Sequence, residues 1–194
     1  IAWIRDYYKI NYDIVLTTAV DTKHMCNANS FLKKHRIKGN IAETTKISSA
    51  VIFLDKDLNK DNVYYNHYDN SELILSKLNS IPYAKITHMC YLNHYLDSEF
   101  IDVLRKKTNI LSCDVCMEKS LFDYKTSILS ALKKMDIYFG NEEETNIISG
   151  NEDVNNSANK IGNIVKLSAY VHNNSGYYEN NGSKCNFYDR KQVH

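Results

Sequence analysis

The chain has 194 residues, of which 43% are hydrophobic and 24% charged, with a formal net charge of +1 at pH 7. This composition is typical of a globular chain long enough to bury a core, and its balanced charge gives no reason to expect a nucleic acid polymer as a partner. No apolar run approaches the length of a membrane span and no signal-peptide pattern is present, so we expect no membrane association and a cytoplasmic location.

The first third of the chain predicts mixed α and β structure. Apolar spacing indicates a helix over 1–8, a strand over 13–18 and a helix from about residue 26 to 34. Residues 44–55 then alternate into a β-branched strand, 57–62 have the composition of a turn, and 63–66 return. We therefore predict a small β-hairpin at about 44–66.

The remaining chain alternates between strand and helix patterns. Helical spacing is present around Leu73 and Ile74, around Phe100 to Leu104, and around Ile128 to Leu132. Buried strands are predicted at 86–91, 109–114, 137–139 and 163–168, with a polar segment lacking regular structure at 151–159 and a tyrosine-rich hairpin at 177–188. Such alternation predicts an α/β fold with a doubly wound, mainly parallel sheet and flanking helices.

The segment from Lys134 to Gly150 has the pattern of a strand, a tight turn and a helix start. A short apolar run ends at Gly140, which we expect to break the strand, and Asn141 is a favourable helix N-cap with three acidic residues behind it. Gly150 is expected to end the helix. Parallel α/β sheets bind ligands at such places.

Asn141 and Glu144 are spaced so that they face the same side of the helix start. Magnesium prefers oxygen ligands and often needs only one or two carboxylates, so Glu144 could hold a metal-bound water while helix amides face a phosphate. The alternative is structural: Asn141 caps the helix, and the glutamates complement its dipole.

The order of residues in this segment resembles a known family motif. Asp136-Ile-Tyr-Phe-Gly-Asn141-Glu-Glu-Glu144 resembles the D-hydrophobics-x-N-x-x-E segment of ribokinase-like (PfkB) carbohydrate and nucleoside kinases. The resemblance implies that Asn141 and Glu144 organise Mg²⁺ and the phosphates of ATP. It also implies that the hairpin at 44–66 is a lid over the sugar, and such a lid can form a homodimer through its exposed edge. The alternative for these residues is an ordinary antiparallel hairpin.

Further positions are implied by the same resemblance. Asp114 ends the segment that matches the family's hydrophobics-D-x-N/P strand, which places it near the nucleotide. Lys166 and Ser168 match the end of the family's V-T/K-L-G strand, which contacts the nucleotide, although Ser168 replaces a glycine. Asp21 matches an acid of the V-G-D-D-x-x-G substrate motif, but both glycines are absent here.

The family's glycine-alanine-glycine-aspartate motif, which supplies the general base, does not occur in these 194 residues. We therefore expect a single, incomplete ribokinase-like domain over 1–194, a fragment or a degenerate member, inactive by itself. The expected function is ATP-dependent phosphotransfer to a hydroxyl of a sugar or nucleoside, with a pseudouridine-kinase-like member as one option. The alternative is a non-catalytic kinase-fold protein for binding or assembly.

Cysteine and histidine positions suggest no further chemistry. The five cysteines form no repeated pairing pattern and are expected to be reduced thiols. Cys113-x-x-Cys116 could be half of a zinc site or a redox pair, but no second pair accompanies it. His88 and His94 have no carboxylate at metal-like spacing, so we interpret both as ordinary residues.

Overall fold

A computed structural model describes residues 2–9, 11–46, 49–54, 60–66, 71–80, 83–96, 98–117, 122–173 and 175–189. The chain divides into two compact units, Ile1–Ile81 and Pro82–His194. Each unit has its own sheet structure and is described by itself.

The first unit contains a parallel strand–helix–strand arrangement. Strand β1 (Ile14–Asp21), helix α2 (Met25–Lys34) and strand β2 (Ile37–Thr44) follow helix α1 (Ala2–Tyr7), and β1 pairs in parallel with β2 from Ile14↔Ile37 to Asp21↔Thr44. Strand β2 was not predicted, because Gly39 and Asn40 give it a poor strand composition. Pairing with β1 overrides that local preference.

The rest of the first unit is a hairpin and a helix. Strands β3 (Ser49–Leu54) and β4 (Lys60–Asn66) form the predicted antiparallel hairpin. Of the turn predicted at 57–62, residues 57–59 lie outside the described residues, and 60–62 belong to β4 instead. Helix α3 (Ser71–Leu78) contacts β1 and β2, and the side-chain amide of Asn40 donates to the carbonyl of Lys77 at 2.8 Å.

The second unit is built on a six-stranded sheet. Strands β5 (Ala84–Met89), β6 (Thr108–Cys113), β7 (Ile137–Asn141) and β8 (Ser168–His172) are parallel neighbours in chain order, and the antiparallel strands β9 (Gly176–Asn180) and β10 (Cys185–Asp189) extend the sheet beyond β8. The helices are α4 (Ser98–Lys106), α5 (Lys125–Leu132), α6 (Glu142–Ser149) and α7 (Val154–Gly162), with a 3₁₀ turn at Leu92–His94. The prediction of an α/β fold with a mainly parallel sheet and flanking helices is confirmed.

The two faces of this sheet are buried to different degrees. Leu111, Tyr138 and Val171 are fully buried together with helix residues such as Ile128, Leu132, Ile148 and Ile161, which form the core. Side chains that alternate with them are more exposed: Ile86 is 63% exposed and Phe139 is 41% exposed. The predicted apolar runs therefore pack one face tightly, and the other face carries His88, Ser112 and Phe139.

Strand β7 does not break at Gly140, as the sequence predicted, but continues to Asn141. Gly140 pairs with Val171, and Asn141 pairs with His172. A Cβ atom at residue 140 would lie within 2.8 Å of three atoms of the Tyr138 side chain, which folds across it. Gly140 therefore serves close packing inside the strand rather than its termination.

The strand predicted at 163–168 is wrong in its position. The apolar residues Ile164 and Val165 turn back on α7, donating their amides to the carbonyl of Ile161 at 2.9 and 3.1 Å, and the strand begins only at Ser168. Helix α7 occupies most of the segment predicted to lack regular structure. Its asparagines have low helix propensity, but Val154, Ala158 and Ile161 form a buried stripe at helical spacing.

The expectations about the caps of α6 and about the tyrosine-rich hairpin are confirmed. Asn141 is the N-cap of α6, and Gly150, with φ 74°, is its left-handed C-cap. The tyrosine-rich hairpin is β9 with β10. Among the described residues, no helix is long and apolar enough to cross a bilayer.

Candidate functional site

Four parallel strands bring polar side chains to their shared carboxyl edge. The register pairs Met89 with Cys113, Cys113 with Tyr138, and Asn141 with His172. Asp114 follows directly after β6 and Asn141 is the last residue of β7, so both lie at the edge where parallel α/β sheets bind ligands. The expectation that they share this edge agrees with the structure.

Asn141 and Glu144 form a reciprocal capping box at the start of α6. The Asn141 side-chain oxygen accepts from the Glu144 amide at 2.8 Å, and the Glu144 Oε2 atom accepts from the Asn141 amide at 3.1 Å. This is the structural alternative stated for these residues, and it fixes both side chains. The capping box uses one oxygen atom of each side chain. Because a carboxylate has two oxygen atoms, the box does not use the second one of Glu144.

The Glu144 carboxylate lies in a setting that disfavours its negative charge. Burial raises the pKa of Glu144, the hydrogen bonds from Asn141 lower it, and the charge of Asp114 raises it further. Only 9% of Glu144 is exposed. A cation at this edge would offset the charges that accumulate there, and carboxylate and amide oxygens suit Mg²⁺.

Buried groups beneath the capping box hold it in place. The Tyr138 hydroxyl lies 3.2 Å from the Thr145 Oγ1 atom. The Thr145 hydroxyl in turn donates to the Asn141 carbonyl at 2.6 Å. Burial raises the pKa of Tyr138 well above its usual range, so it stays neutral. The start of α6 is thus attached to the sheet through side chains as well as through the backbone.

Asp114 is fixed by the turn that leaves β5. Its Oδ1 atom accepts from the Tyr91 amide at 2.6 Å, its carbonyl accepts from the Leu92 amide at 2.8 Å, and its own amide donates to the Met89 carbonyl at 3.1 Å. Tyr91 has left-handed torsion angles, φ 61° and ψ 57°, which are costly for a residue with a Cβ atom. Such strain is common at functional sites.

His88 lies beside Asp114, contrary to its interpretation as an ordinary residue. Its Nε2 atom is 3.4 Å from the Asp114 Oδ2 atom, and its Nδ1 atom is 3.0 Å from the Ser112 Oγ atom. Hydrogen bonding to Asp114 and then to Cys90 raises the pKa of His88 to about 9. The carboxylate comes from the neighbouring strand, so spacing within one segment could not reveal the pair.

Lys166 and Ser168 lie at the opposite edge of the sheet. The Lys166 amide donates to the carbonyl of Met135, before β7 begins, and Ser168 pairs with Ile137, the first residue of β7. Asn141 is four residues further along that strand, roughly 13 Å away. Lys166 and Ser168 therefore do not lie beside Asn141, where the resemblance implied a shared contact with the nucleotide, because β8 starts later than predicted.

The acid of the resembling segment, Asp136, is structural. It is buried, accepts from the Leu111 amide at 2.7 Å and pairs with Arg105 of α4. In the first unit, Asp21 is likewise engaged locally: it accepts from the Lys23 amide at 3.0 Å and contacts His24 Nδ1 at 2.5 Å. Both carboxylates are thus engaged by neighbours within their own unit.

No protein-family model matches the chain, and no curated protein sequence matches it. Solved structures do. An apo fructokinase from Vibrio cholerae O395 aligns with a TM-score of 0.72 at 13% identity, over 96% of this chain and 69% of that one. A pyrophosphate-dependent kinase in the ribokinase family, complexed with a pyrophosphate analogue and myo-inositol, aligns with a TM-score of 0.68 at 15% identity, over 93% and 65%.

An adenosine kinase from Sinorhizobium meliloti aligns with a TM-score of 0.70 at 12% identity, over 93% of this chain and 59% of that one. The chain thus spans about two thirds or less of the length of most of these kinases. Identities this low show a shared fold and not a shared activity. The resemblance seen in the sequence is confirmed at this level: the chain has the ribokinase-like fold.

Proposed function

We propose that the protein is an ATP-dependent kinase that phosphorylates a hydroxyl group of a sugar or nucleoside, and that this chain holds the phosphate and metal side of the site. The observation that carries the proposal is the capping box of Asn141 and Glu144 at the carboxyl edge, close enough to Asp114 for its charge to act on Glu144. The fold is shared with a fructokinase, an inositol kinase and an adenosine kinase.

Mg²⁺ fits the side chains at this edge. Glu144 and Asn141 supply oxygen atoms, and the raised pKa of Glu144 reflects burial and a nearby negative charge that a cation would offset. Bound Mg²⁺ would neutralise charge on the phosphates during transfer. The first amides of α6 and its dipole favour an anion beside the capping box.

The proposal extends to Asp114 and to the hairpin of the first unit. Asp114 is held rigidly by the Tyr91 and Leu92 amides and would orient water or metal near the phosphates. The hairpin of β3 and β4 is proposed as the lid over the substrate, with a homodimer through its edge as the assembly and the cytoplasm as the location. Lys166 and Ser168 are not included, because they lie at the other edge.

A non-catalytic binding protein is the second candidate. The observation that favours it is the completeness of the capping box, which gives Asn141 and Glu144 a purely structural use.

Nucleotide binding to the Asn141 variants tests the proposal. Asn141→Ser keeps an oxygen that caps a helix well but removes the amide group, whereas Asn141→Ala removes both. For a nucleotide site, Mg²⁺-dependent ATP binding by calorimetry is about 10-fold weaker or worse in both variants.

For a mere cap, Asn141→Ser binds ATP like the wild type, and only Asn141→Ala lowers the melting temperature. Phosphate transfer to a panel of sugars and nucleosides then separates the candidates. Mg²⁺-dependent ATP binding without transfer to any member of the panel would favour the non-catalytic protein.

A further inference from the structure

We propose that His88, Cys90 and Asp114 form a binding site for a thiophilic divalent transition metal such as Zn²⁺, next to the Mg²⁺ site proposed at Asn141 and Glu144. One ligand atom from each side chain, a ring nitrogen, a sulfur and a carboxylate oxygen, lies within 4.8 Å of the other two. The three residues come from the ends of the adjacent strands β5 and β6. Their contact therefore follows from the parallel pairing of Met89 with Cys113.

The orientation of the His88 ring favours metal binding. The Ser112 hydroxyl donates its single proton to the Thr87 carbonyl at 3.3 Å, so it accepts from His88 Nδ1 at 3.0 Å. This leaves Nε2 directed toward the Asp114 carboxylate, at 3.4 Å. Metal-binding histidines commonly donate the N–H of their other ring nitrogen to an oxygen acceptor, and this hydrogen bond fixes the tautomer.

The other two ligands are also held in place. The Tyr91 amide occupies Oδ1 of Asp114, which leaves Oδ2 toward His88. Cys90 is two residues after His88, so the two side chains leave the strand end on the same side. Cys90 is exposed and forms no disulfide, so its rotamer can adjust. The left-handed Tyr91 follows directly and turns the chain back toward Asp114.

The donor set identifies the metal class. A thiolate with an imidazole suits Zn²⁺, Co²⁺ and related ions, whereas Mg²⁺ prefers oxygen ligands alone. Zinc bonds of about 2.0–2.3 Å place tetrahedral ligands about 3.3–3.8 Å apart, so a pair of ligand atoms at the 4.8 Å limit would have to close by about 1–1.5 Å. Three protein ligands leave a fourth position for an exchangeable water, as in catalytic rather than structural zinc sites.

Co²⁺ titration of the full chain tests this site directly. The protein is first treated with a chelator and a reductant, and the Co²⁺ salt is then added alone. We expect a thiolate-to-cobalt absorption band in the near ultraviolet that saturates at one equivalent and disappears on addition of Zn²⁺. The band should be absent in Cys90→Ser. In His88→Ala the affinity for Co²⁺, read from the titration of the band, should fall at least about 10-fold. Cys26→Ser is the matched control, because Cys26 is also an exposed free thiol, and it keeps the band.

A second measurement needs no variant of the site. Zn²⁺ should slow alkylation of Cys90 in the wild-type chain several-fold, while Cys26 reacts at the same rate with and without Zn²⁺, as read by mass spectrometry of the peptides. No cobalt band in the wild type, an equal band in Cys90→Ser, or unprotected Cys90 would each overturn the proposal. Mg²⁺-dependent ATP binding by Cys90→Ser distinguishes the failure of this site from failure of the proposed kinase function.

Discussion

The amino and carboxyl edges of the large sheet treat their charged side chains in opposite ways. At the amino edge, buried Asp136 is matched by Arg105 and by the Leu111 amide, and Arg105 also donates to the Asn109 carbonyl at 2.5 Å. At the carboxyl edge, Asp114 and Glu144 place two acids near each other, and burial together with this charge raises the pKa of Glu144.

This difference separates stability from function within one sheet. Charged groups that already pair with each other bind a ligand poorly, so the charges at the amino edge stabilise the fold. Among the described residues of the carboxyl edge, His88 forms its ion pair with Asp114 only, so the Glu144 carboxylate remains available to a cation or to groups that a cation carries. Variants at the two edges should therefore fail in different assays, and the following changes test that division.

Asp136→Ala should give the largest effect, on stability alone. It leaves the Arg105 guanidinium, only 26% exposed, and the Leu111 amide without their acceptor, so the free energy of unfolding should fall by about 3 kcal/mol. Asp102→Ala is the matched control: Asp102 pairs with Lys134 at 2.6 Å but is 51% exposed, so its loss should cost less than about 1 kcal/mol. Urea unfolding measures both, and similar losses would contradict the role of the amino edge.

Gly140→Ala should destabilise the protein by about 1–3 kcal/mol, because the added Cβ atom meets the Tyr138 ring. The contact predicts that shortening the tyrosine relieves the clash. Gly140→Ala should therefore cost clearly less in a Tyr138→Leu background than in the wild type. Chemical unfolding of the four proteins in this double-mutant cycle measures the coupling. An additive result would mean that Gly140 is needed for some reason other than this ring.

Glu144→Gln should separate the two uses of the capping box. Glutamine can still accept the Asn141 amide, so unfolding should change by only about 0.3–1 kcal/mol. Losing the carboxylate should weaken the Mg²⁺ dependence of ATP binding by about 10–100-fold. Glu142→Gln shares the dipole effect and is the control. Equal Mg²⁺ titrations for the two variants would reduce the motif to a helix start.

The smallest effect concerns pH. Because the partners Asp114 and Cys90 raise the pKa of His88 in the folded chain from 6.5 to about 9, protonated His88 stabilises the fold. Its contribution should be complete below pH 6.5 and should disappear as the pH rises through about 9. The stability difference between wild type and His88→Gln, measured in chelator by urea unfolding, should shrink over this range. A difference that stays constant with pH would contradict the ion pair.

Sequence patterns predicted the strands with continuous apolar runs and the helix ends marked by local capping residues. The runs at β6 and β7 and the cap and stop of α6 follow from local chemistry, and the structure places them there. Strand β2 was missed because its polar residues give no sign of its pairing with β1. Helix α7 was missed because its many polar residues leave only a few buried apolar positions at helical spacing. The error at β8 moved Lys166 and Ser168 to the wrong edge.

The candidate site was predictable only where it is local. Asn141 and Glu144 are three residues apart and follow capping rules, so their relation is visible in the sequence. His88 and Asp114 meet only through the parallel register of β5 with β6, which no single segment contains. Cys90 could have been noticed for its position two residues after His88, but the third ligand needs the sheet.

Strand β7 and helix α6 meet without an intervening loop. Asn141 is both the last paired residue of the strand and the N-cap of the helix, with His172 opposite it in the sheet. An inserted or deleted residue here would rotate the whole helix relative to the sheet by about 100°. We therefore expect this junction to resist changes in length over evolutionary time, whereas the connection from β9 to β10 can lengthen freely.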